Sequence, residues 1–204
     1  MSSNQFELLL NQFFNSDVFC NEFFEEIAKN KLNVAENELR VKVVILSDVI
    51  DSRKSSSSAV FRGKLKVDIL KETIMHENID FIMKASFLTA PELKSLSVYP
   101  REKLMYGDVV KSFEDIWRER RNVIVEFTPR CYKILTYPYD VIVLQDLSSC
   151  GYFMLDRKIG LNLNQAKLVL SKLAKFHAAS AIRYQTVINY VICYDKPLNN
   201  FSQF

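Results

Sequence analysis

Lys84 and Glu102 are spaced so that together they could hold a polyphosphate. Lys84 ends the apolar run 79–84, and Glu102 lies eighteen residues later in a segment with helical spacing. A lysine on a strand can neutralise phosphate charge, and a glutamate on the next helix can orient that lysine. The alternative is a solvated strand-end lysine and a first-turn glutamate favoured by the helix dipole. A later apolar run, 141–144, leads into a polar stretch with Asp146. The order of strand lysine, helix glutamate and this strand with its acid favours the phosphate-holding interpretation.

The bulk composition is that of an ordinary globular protein. Hydrophobic residues are 49% and charged residues 25% of the 204 positions. A net charge of +3 is too small to indicate a nucleic-acid partner. No run approaches the ~20 apolar residues of a membrane helix, and the apolar residues 8–10 lack a preceding basic region. We therefore expect a cytoplasmic protein with no nucleic-acid and no membrane partner.

Cysteine and histidine usage argues against a metal site. The four cysteines are widely and irregularly spaced, at Cys20, Cys131, Cys150 and Cys193. With two histidines and no C-x-x-C pair, zinc ligation is not indicated, and reduced thiols are expected. His76 lies in a polar loop, and His177 lies on the apolar stripe of a predicted helix. We interpret His177 as a packed core residue rather than a catalytic one.

The elements that must position Lys84 and Glu102 are visible as changes of periodicity. Residues 4–30 have helical spacing, and 39–47 predict a strand. Segment 59–69 alternates strictly, which is typical of a half-solvated antiparallel strand. Its apolar members are Ala59, Phe61, Leu65, Val67 and Ile69, and its polar members are Arg62, Lys64, Lys66 and Asp68. Further strands are predicted at 79–85, 131–137 and 141–146.

Two more helices are predicted in the second half of the chain. One begins at about Pro100, a tolerated first-turn position for proline, and runs through Phe113. The other spans 165–183 and is capped by Asn162 or Asn164. Its apolar side is formed by Leu168, Leu170, Leu173, Phe176, His177 and Ala181.

This order of elements predicts an α+β chain with a protein kinase-like fold. Residues 41–147 are expected to form a five-stranded antiparallel sheet with one packed helix. We divide the chain into leading helices at 1–38, the kinase-like amino-terminal lobe and hinge at 39–147, and the first part of a helical carboxy-terminal lobe at 148–204.

The motifs resemble those of the ecdysteroid kinase-like family of insects, which is related to choline and aminoglycoside kinases. The resemblance covers about residues 41–183. It rests on Met83-Lys84, Tyr99-x-x-Glu102-x-x-x-Tyr106, Pro129-x-Cys131-Tyr132, Val143-Leu144-Gln145-Asp146-Leu147 and Leu173-Ala174-Lys175-Phe176-His177-Ala178-Ala179-Ser180. The resemblance implies transfer of the ATP γ-phosphate to a small-molecule hydroxyl, in some members a steroid hydroxyl.

The resemblance also assigns roles to individual residues. Lys84 would bind phosphate with Glu102 as its partner, and main-chain groups of Gln145, Asp146 and Leu147 would hold the adenine edge. The phosphate-facing turn would include Ser57 and Ser58. Gln145 stands where the family has Glu, and serines occupy the turn where the family has glycine, which hinders close approach of the backbone to phosphate.

Mg²⁺ is implied by the family, but the ligands for it are missing from this sequence. The family's catalytic loop begins His-Gly-Asp and is followed by a second metal-binding Asp, and neither motif occurs in the 204 residues. Asp195 and Asn200 have the spacing of such a loop, but Cys193-Tyr194 precede them, so we interpret 195–200 as a polar turn.

Two functions follow from this combination of motifs. The first is the amino-terminal part of an ATP-dependent small-molecule kinase, truncated before the catalytic loop and inactive as this chain. Its partners are a nucleotide and an alcohol substrate, and the stripe of helix 165–183, lacking its lobe, is expected to drive self-association. The second is a non-catalytic, kinase-like binding or scaffold protein.

Overall fold

The computed structural model of the chain describes residues 15, 17–35, 38–48, 58–86, 99–156 and 158–193. It is an α+β structure that divides into two compact units. Unit 1 contains residues 1–107 and 129–153, and unit 2 contains residues 108–128 and 154–204. Both Lys84 and Glu102 belong to unit 1.

Unit 1 is built on a five-stranded antiparallel sheet, as the alternating segments predict. The strands are β1 (Leu39–Asp48), β2 (Ser58–Leu70), β3 (Ile74–Ser86), β4 (Cys131–Leu135) and β5 (Asp140–Gln145). Their order across the sheet is β1-β2-β3-β5-β4. The central strand β3 therefore lies between β2 and β5, and it carries Lys84.

Helix α1 (Asn21–Leu32) covers one face of this sheet. The predicted alternation of β2 is confirmed, because its odd-numbered apolar side chains are buried on the α1 side: Ala59, Phe61, Leu65, Val67 and Ile69. Phe23, Phe24, Ile27 and Ala28 of α1 complete the same core. The leading helix thus shares one hydrophobic core with the sheet.

The helix predicted at 4–30 is interrupted in its described part. A 3₁₀ turn, Asp17–Phe19, precedes α1, and Cys20 is the N-cap with extended backbone. Residues 4–14 of the predicted helix lie outside the described part of the chain. At the other end, Asn33 adopts a left-handed conformation and its amide bonds to the Lys29 carbonyl at 2.8 Å, which stops the helix.

Gly63 is the tightest point of the core. It is in register with Phe81, whose ring is fully buried and lies directly over the glycine. A Cβ at position 63 would stand 2.0 Å from Cζ of Phe81. Gly63 therefore serves packing rather than backbone flexibility, since the close approach of the ring requires a residue without a side chain.

The helix predicted from Pro100 is observed with an irregularity. It consists of α2 (Tyr99–Leu104), a π-helical turn (Met105–Val109) and α3 (Val110–Arg121). α2 belongs to unit 1 and α3 to unit 2. π-helical turns within helices occur frequently at functional sites.

Unit 2 pairs α3 with a long helix, α4 (Leu163–Cys193). α4 extends beyond the predicted 165–183. The predicted cap at Asn162 is present as a reciprocal pair, with the Gln165 amide donating to Asn162 Oδ1 at 3.0 Å and the Asn162 amide donating to Gln165 Oε1 at 2.9 Å. Trp117 Nε1 donates to the Lys175 carbonyl at 3.1 Å, which ties the two helices together.

Two side chains of the α4 stripe differ from their sequence-based interpretation. His177, predicted to lie in the core, is exposed. Phe176, predicted on the uncovered stripe, packs edge-on against Phe113 and Phe127, with ring centroids 4.9 and 5.4 Å away. The reason is rotation about the helix axis, because α3 lies beside Phe176 and leaves its neighbour His177 facing outward.

The remaining apolar side chains of the α4 stripe are exposed, as expected. They are Leu168, Leu170, Leu173 and Ala181. The polar turn expected at 195–200 lies outside the described residues. Within the described part of the chain, none of the helices has the length and apolarity that crossing a membrane requires.

Candidate functional site

The face of the sheet opposite α1 carries the candidate site. Even-numbered residues share this face, and the register aligns Val60 with Lys84, Arg62 with Ile82, and Lys84 with Ile142. Val60 and Ile82 are half-buried. Around Lys84, the face therefore combines apolar surface with the cationic side chains of Arg62 and Lys84.

Lys84 and Glu102 meet as their spacing predicts. The Lys84 ammonium donates to both carboxylate oxygens of Glu102, at 2.7 Å each. The two side chains are 30% and 32% exposed, so the pair borders solvent and is open to a ligand. Charge-assisted bonds of this kind hold the lysine in one direction. The structure thus places an oriented cation near the end of the central strand β3.

Tyr106, one turn after Glu102, anchors this segment to the sheet. It packs on the buried side chains of Ile142 and Leu144, together with Cys131. Burial, with a smaller contribution from the negative charge of Glu102, raises the pKa of the Tyr106 phenol. Burial likewise raises the pKa of the Cys131 thiol to about 11, which disfavours the nucleophilic thiolate at neutral pH.

Asp146 has a structural role that its position in the sequence does not reveal. Its carboxylate is buried and pairs with Arg62 Nε at 2.7 Å. It also accepts bonds from the Ser148 amide at 2.9 Å and the Ser148 hydroxyl at 2.5 Å. Although burial raises the pKa of this carboxyl, the bonds from Ser148 and Arg62 outweigh burial and hold the pKa below its usual value. The acid therefore caps the 3₁₀ turn Leu147–Cys150 in its charged form.

Replacing Asp146 with Asn is expected to lower the free energy of unfolding at pH 7 by about 1–3 kcal/mol, because bonds to a charged acceptor are lost. Since the folded-state pKa is lowered, the stabilisation is present above the ordinary aspartate pKa and is lost as the pH falls through the folded value. Urea unfolding at pH 7 and pH 3 should therefore show a smaller difference at pH 3. Asp156→Asn, at an exposed turn where Asp156 accepts from the Lys158 amide, is the control, expected near wild type at both pH values. A difference that grows at pH 3 would contradict the assignment.

Arg62 is a residue of this face that the sequence interpretation missed. Its alternation places it on the polar side of β2, which indicates only a solvated strand residue. The register of β2 and β3, which the sequence alone does not give, places Arg62 on the same face as Lys84. Its guanidinium links β2 to the segment after β5 through the Asp146 carboxylate and the Ser148 hydroxyl, the latter at 3.1 Å.

Hydrogen bonds fix the main chain around Gln145. Its amide donates to the Arg130 carbonyl at 2.8 Å, and its side-chain oxygen accepts from the Arg130 amide at 3.3 Å. The Leu147 carbonyl accepts from the Tyr152 amide at 3.1 Å. Gln145 is in register with Phe81, three residues before Lys84 and so ~10 Å along the strand. Gln145 and Lys84 are therefore separated along the direction of β3.

The expected phosphate turn is largely outside the described part of the chain. Ser57 is not described, and of Ser58 only the backbone is described, as the first residue of β2. Ser58 is in register with Ser86, two positions beyond Lys84 on the side away from the hinge. Among the described residues, no three His, Cys, Asp or Glu side chains lie close enough together to hold a metal ion.

Comparison with known proteins identifies a family that matches this chain. No curated protein and no solved structure matches the chain. The model of the ecdysteroid kinase-like family matches residues 55–201, well over half of the sequence and the whole of the face described above. The antiparallel sheet with its helices is compatible with the kinase-like fold of that family. The chain belongs to the ecdysteroid kinase-like family.

Proposed function

We propose that this chain binds ATP on the sheet face opposite α1. The observation that carries the proposal is the pair of 2.7 Å hydrogen bonds from the Lys84 ammonium to both carboxylate oxygens of Glu102. Both side chains are partly exposed to solvent. An ammonium held by a carboxylate can point at phosphate oxygens without losing further side-chain freedom on binding. Family membership, which indicates kinase-like phosphotransferases, supports the same assignment.

The proposal assigns a part of the nucleotide to each end of the face. The main chain at Gln145, Asp146 and Leu147 holds the adenine edge, and the bonds from the Gln145 amide to Arg130 and from the Tyr152 amide to Leu147 keep this segment in place. Val60 and Ile82 offer apolar surface to the base. Lys84 binds phosphate, and the backbone of Ser58, the first residue of β2, lies on the phosphate side. Ser57 is assigned to the same phosphate turn from the sequence alone.

For active members of the family we infer phosphoryl transfer from ATP to a small alcohol such as an ecdysteroid hydroxyl. Such transfer depends on positioned charge and a metal ion. The family's catalytic loop begins His-Gly-Asp, and the 204 residues contain no such sequence. We therefore assign to this chain nucleotide binding without turnover.

Isothermal titration with ATP, ADP and adenosine tests the proposal. ATP is expected to bind more tightly than adenosine, because only the phosphates reach Lys84. ATP consumption in the presence of an ecdysteroid is expected to equal the background. Absence of ATP binding by the folded chain would refute the function, and turnover that disappears on substitution of Lys84 would refute the assignment as non-catalytic.

A second candidate is a scaffold role through self-association, favoured by the exposed apolar side chains of α4. Leu168, Leu170 and Leu173 are all exposed, and each large side chain left unburied forgoes roughly 1.5–3 kcal/mol. Sedimentation is expected to show concentration-dependent association that Leu170→Glu weakens. Ile124→Glu, at an exposed apolar residue outside the helix, is the matched control. A monodisperse wild-type chain would exclude this role.

A further inference from the structure

Four charged side chains of alternating sign meet between α2 and the sheet. Glu102 and Lys103 are consecutive in α2, so their side chains leave the helix about 100° apart and contact different strands. Glu102 pairs with Lys84 on β3, and Lys103 pairs with Asp140 at the start of β5. One turn of helix therefore presents a negative and a positive group to a positive and a negative group on the sheet.

The Lys103–Asp140 pair is the more buried of the two. The Lys103 ammonium lies 2.5 Å from Asp140 Oδ1, and the side chains are 17% and 3% exposed. A carboxylate removed from water to this extent requires a partner, because an unpaired buried charge is strongly unfavourable. Asp140 is therefore the group in this cluster with the greatest demand for a cation.

Lys84 is the other cation within reach of Asp140. The register pairs Lys84 with Ile142 and Ser86 with Asp140, which makes Lys84 and Asp140 diagonal neighbours on one face of adjacent strands. Diagonal neighbours lie ~7–8 Å apart, within the reach of a lysine side chain. Without Lys103, the Lys84 ammonium could turn from Glu102 to Asp140.

We propose that Lys103 is a positioning residue: by neutralising Asp140 it leaves Lys84 paired with Glu102 and available to a nucleotide phosphate. This inference rests on the proposed ATP site. The proposed role of Lys103 explains why the buried Lys103–Asp140 pair lies beside the partly exposed Lys84–Glu102 pair. If the Lys103–Asp140 pair served only to hold α2 on the sheet, loss of either residue would lower ATP affinity equally. In the proposed role only loss of Lys103 lowers ATP affinity, because it leaves the Asp140 charge without a cation.

The test compares Lys103→Met, Asp140→Asn and the double variant in the whole chain. ATP affinity is expected to fall about tenfold in Lys103→Met, corresponding to ~1.4 kcal/mol. It should stay within about twofold in Asp140→Asn and return towards wild type in the double variant, since a neutral amide at position 140 cannot capture Lys84. Lys103→Arg, which keeps the charge, should bind ATP like wild type.

A second readout does not depend on nucleotide. The rate at which an amine-acylating reagent modifies Lys84, followed by mass spectrometry, should fall in Lys103→Met, because the amine moves to a buried carboxylate, and should recover in the double variant. If α2 merely detached, labelling of Lys84 would rise instead. Should Lys103→Met fail to fold, Lys103→Gln replaces it.

Lys133→Met is the matched control. Lys133 is similarly buried, 12% exposed, and pairs with Glu26 of α1. It should change stability but neither ATP affinity nor Lys84 labelling. A wild-type chain that does not bind ATP would refute the nucleotide site while labelling still tests Lys103. Unchanged or increased labelling in Lys103→Met, or no recovery in the double variant, would overturn the role of Lys103.

Discussion

Lys84→Met is expected to weaken ATP binding by about 10- to 100-fold. A hydrogen bond to a charged group contributes about 1.5–3 kcal/mol, and each 1.4 kcal/mol is a factor of about ten in affinity. Methionine keeps most of the length and apolar volume of the side chain, so the loss reports on the ammonium rather than on packing. Glu102→Gln should cause a smaller loss, because it removes the orienting charge but leaves Lys84 in place.

Lys42→Met is the control for Lys84→Met. Lys42 is also a paired lysine of the same sheet, 3.1 Å from Asp68. Asp68 lies eight residues along β2 from Val60, the register partner of Lys84, and so is ~26 Å away. Titration calorimetry of both variants, each first checked by thermal melting, separates the site from general electrostatics. Equal ATP affinity in the two variants would contradict the assignment of Lys84.

Gly63→Ala is expected to destabilise unit 1 by about 3 kcal/mol, at the upper end of the usual penalty for overpacking. The new methyl carbon would stand 2.0 Å from Cζ of Phe81 and 2.3 Å from Cε2. The Phe81 ring is fully buried, and because protein interiors are close-packed, moving the ring would displace its neighbours. Urea unfolding measures the change in the free energy of unfolding.

Two further variants make the Gly63 result specific. Gly107→Ala meets only Ile134 Cδ1 at 3.4 Å, so we expect stability within about 1 kcal/mol of wild type. Adding Phe81→Leu to Gly63→Ala should recover part of the loss, because the smaller side chain relieves the contact and the two substitutions are coupled. Additive losses in the double variant would show that the contact with Phe81 is not the cause.

The sequence determined the elements and the pair that carries the proposed function. Alternation along 59–69 is a local, period-two signal, and it identified the buried face of β2 correctly. The eighteen-residue spacing of Lys84 and Glu102, with strand and helix periodicity at either end, was enough to predict that they meet. Both periodicities are local signals, because each depends on neighbours within one element.

The tertiary structure decided which charges pair across elements. Asp140 is the first residue of β5 and Asp146 directly follows the strand, yet one pairs with Lys103 of α2 and the other with Arg62 of β2. Strand register and helix placement set these choices, and both depend on contacts distant in sequence.

The covered part of the α4 stripe was likewise decided by tertiary structure. Phe176 and His177 are adjacent, yet one packs against Phe113 and the other is exposed. Helical periodicity defines a stripe from the sequence alone, but only the position of the neighbouring helix decides which part of that stripe is removed from water.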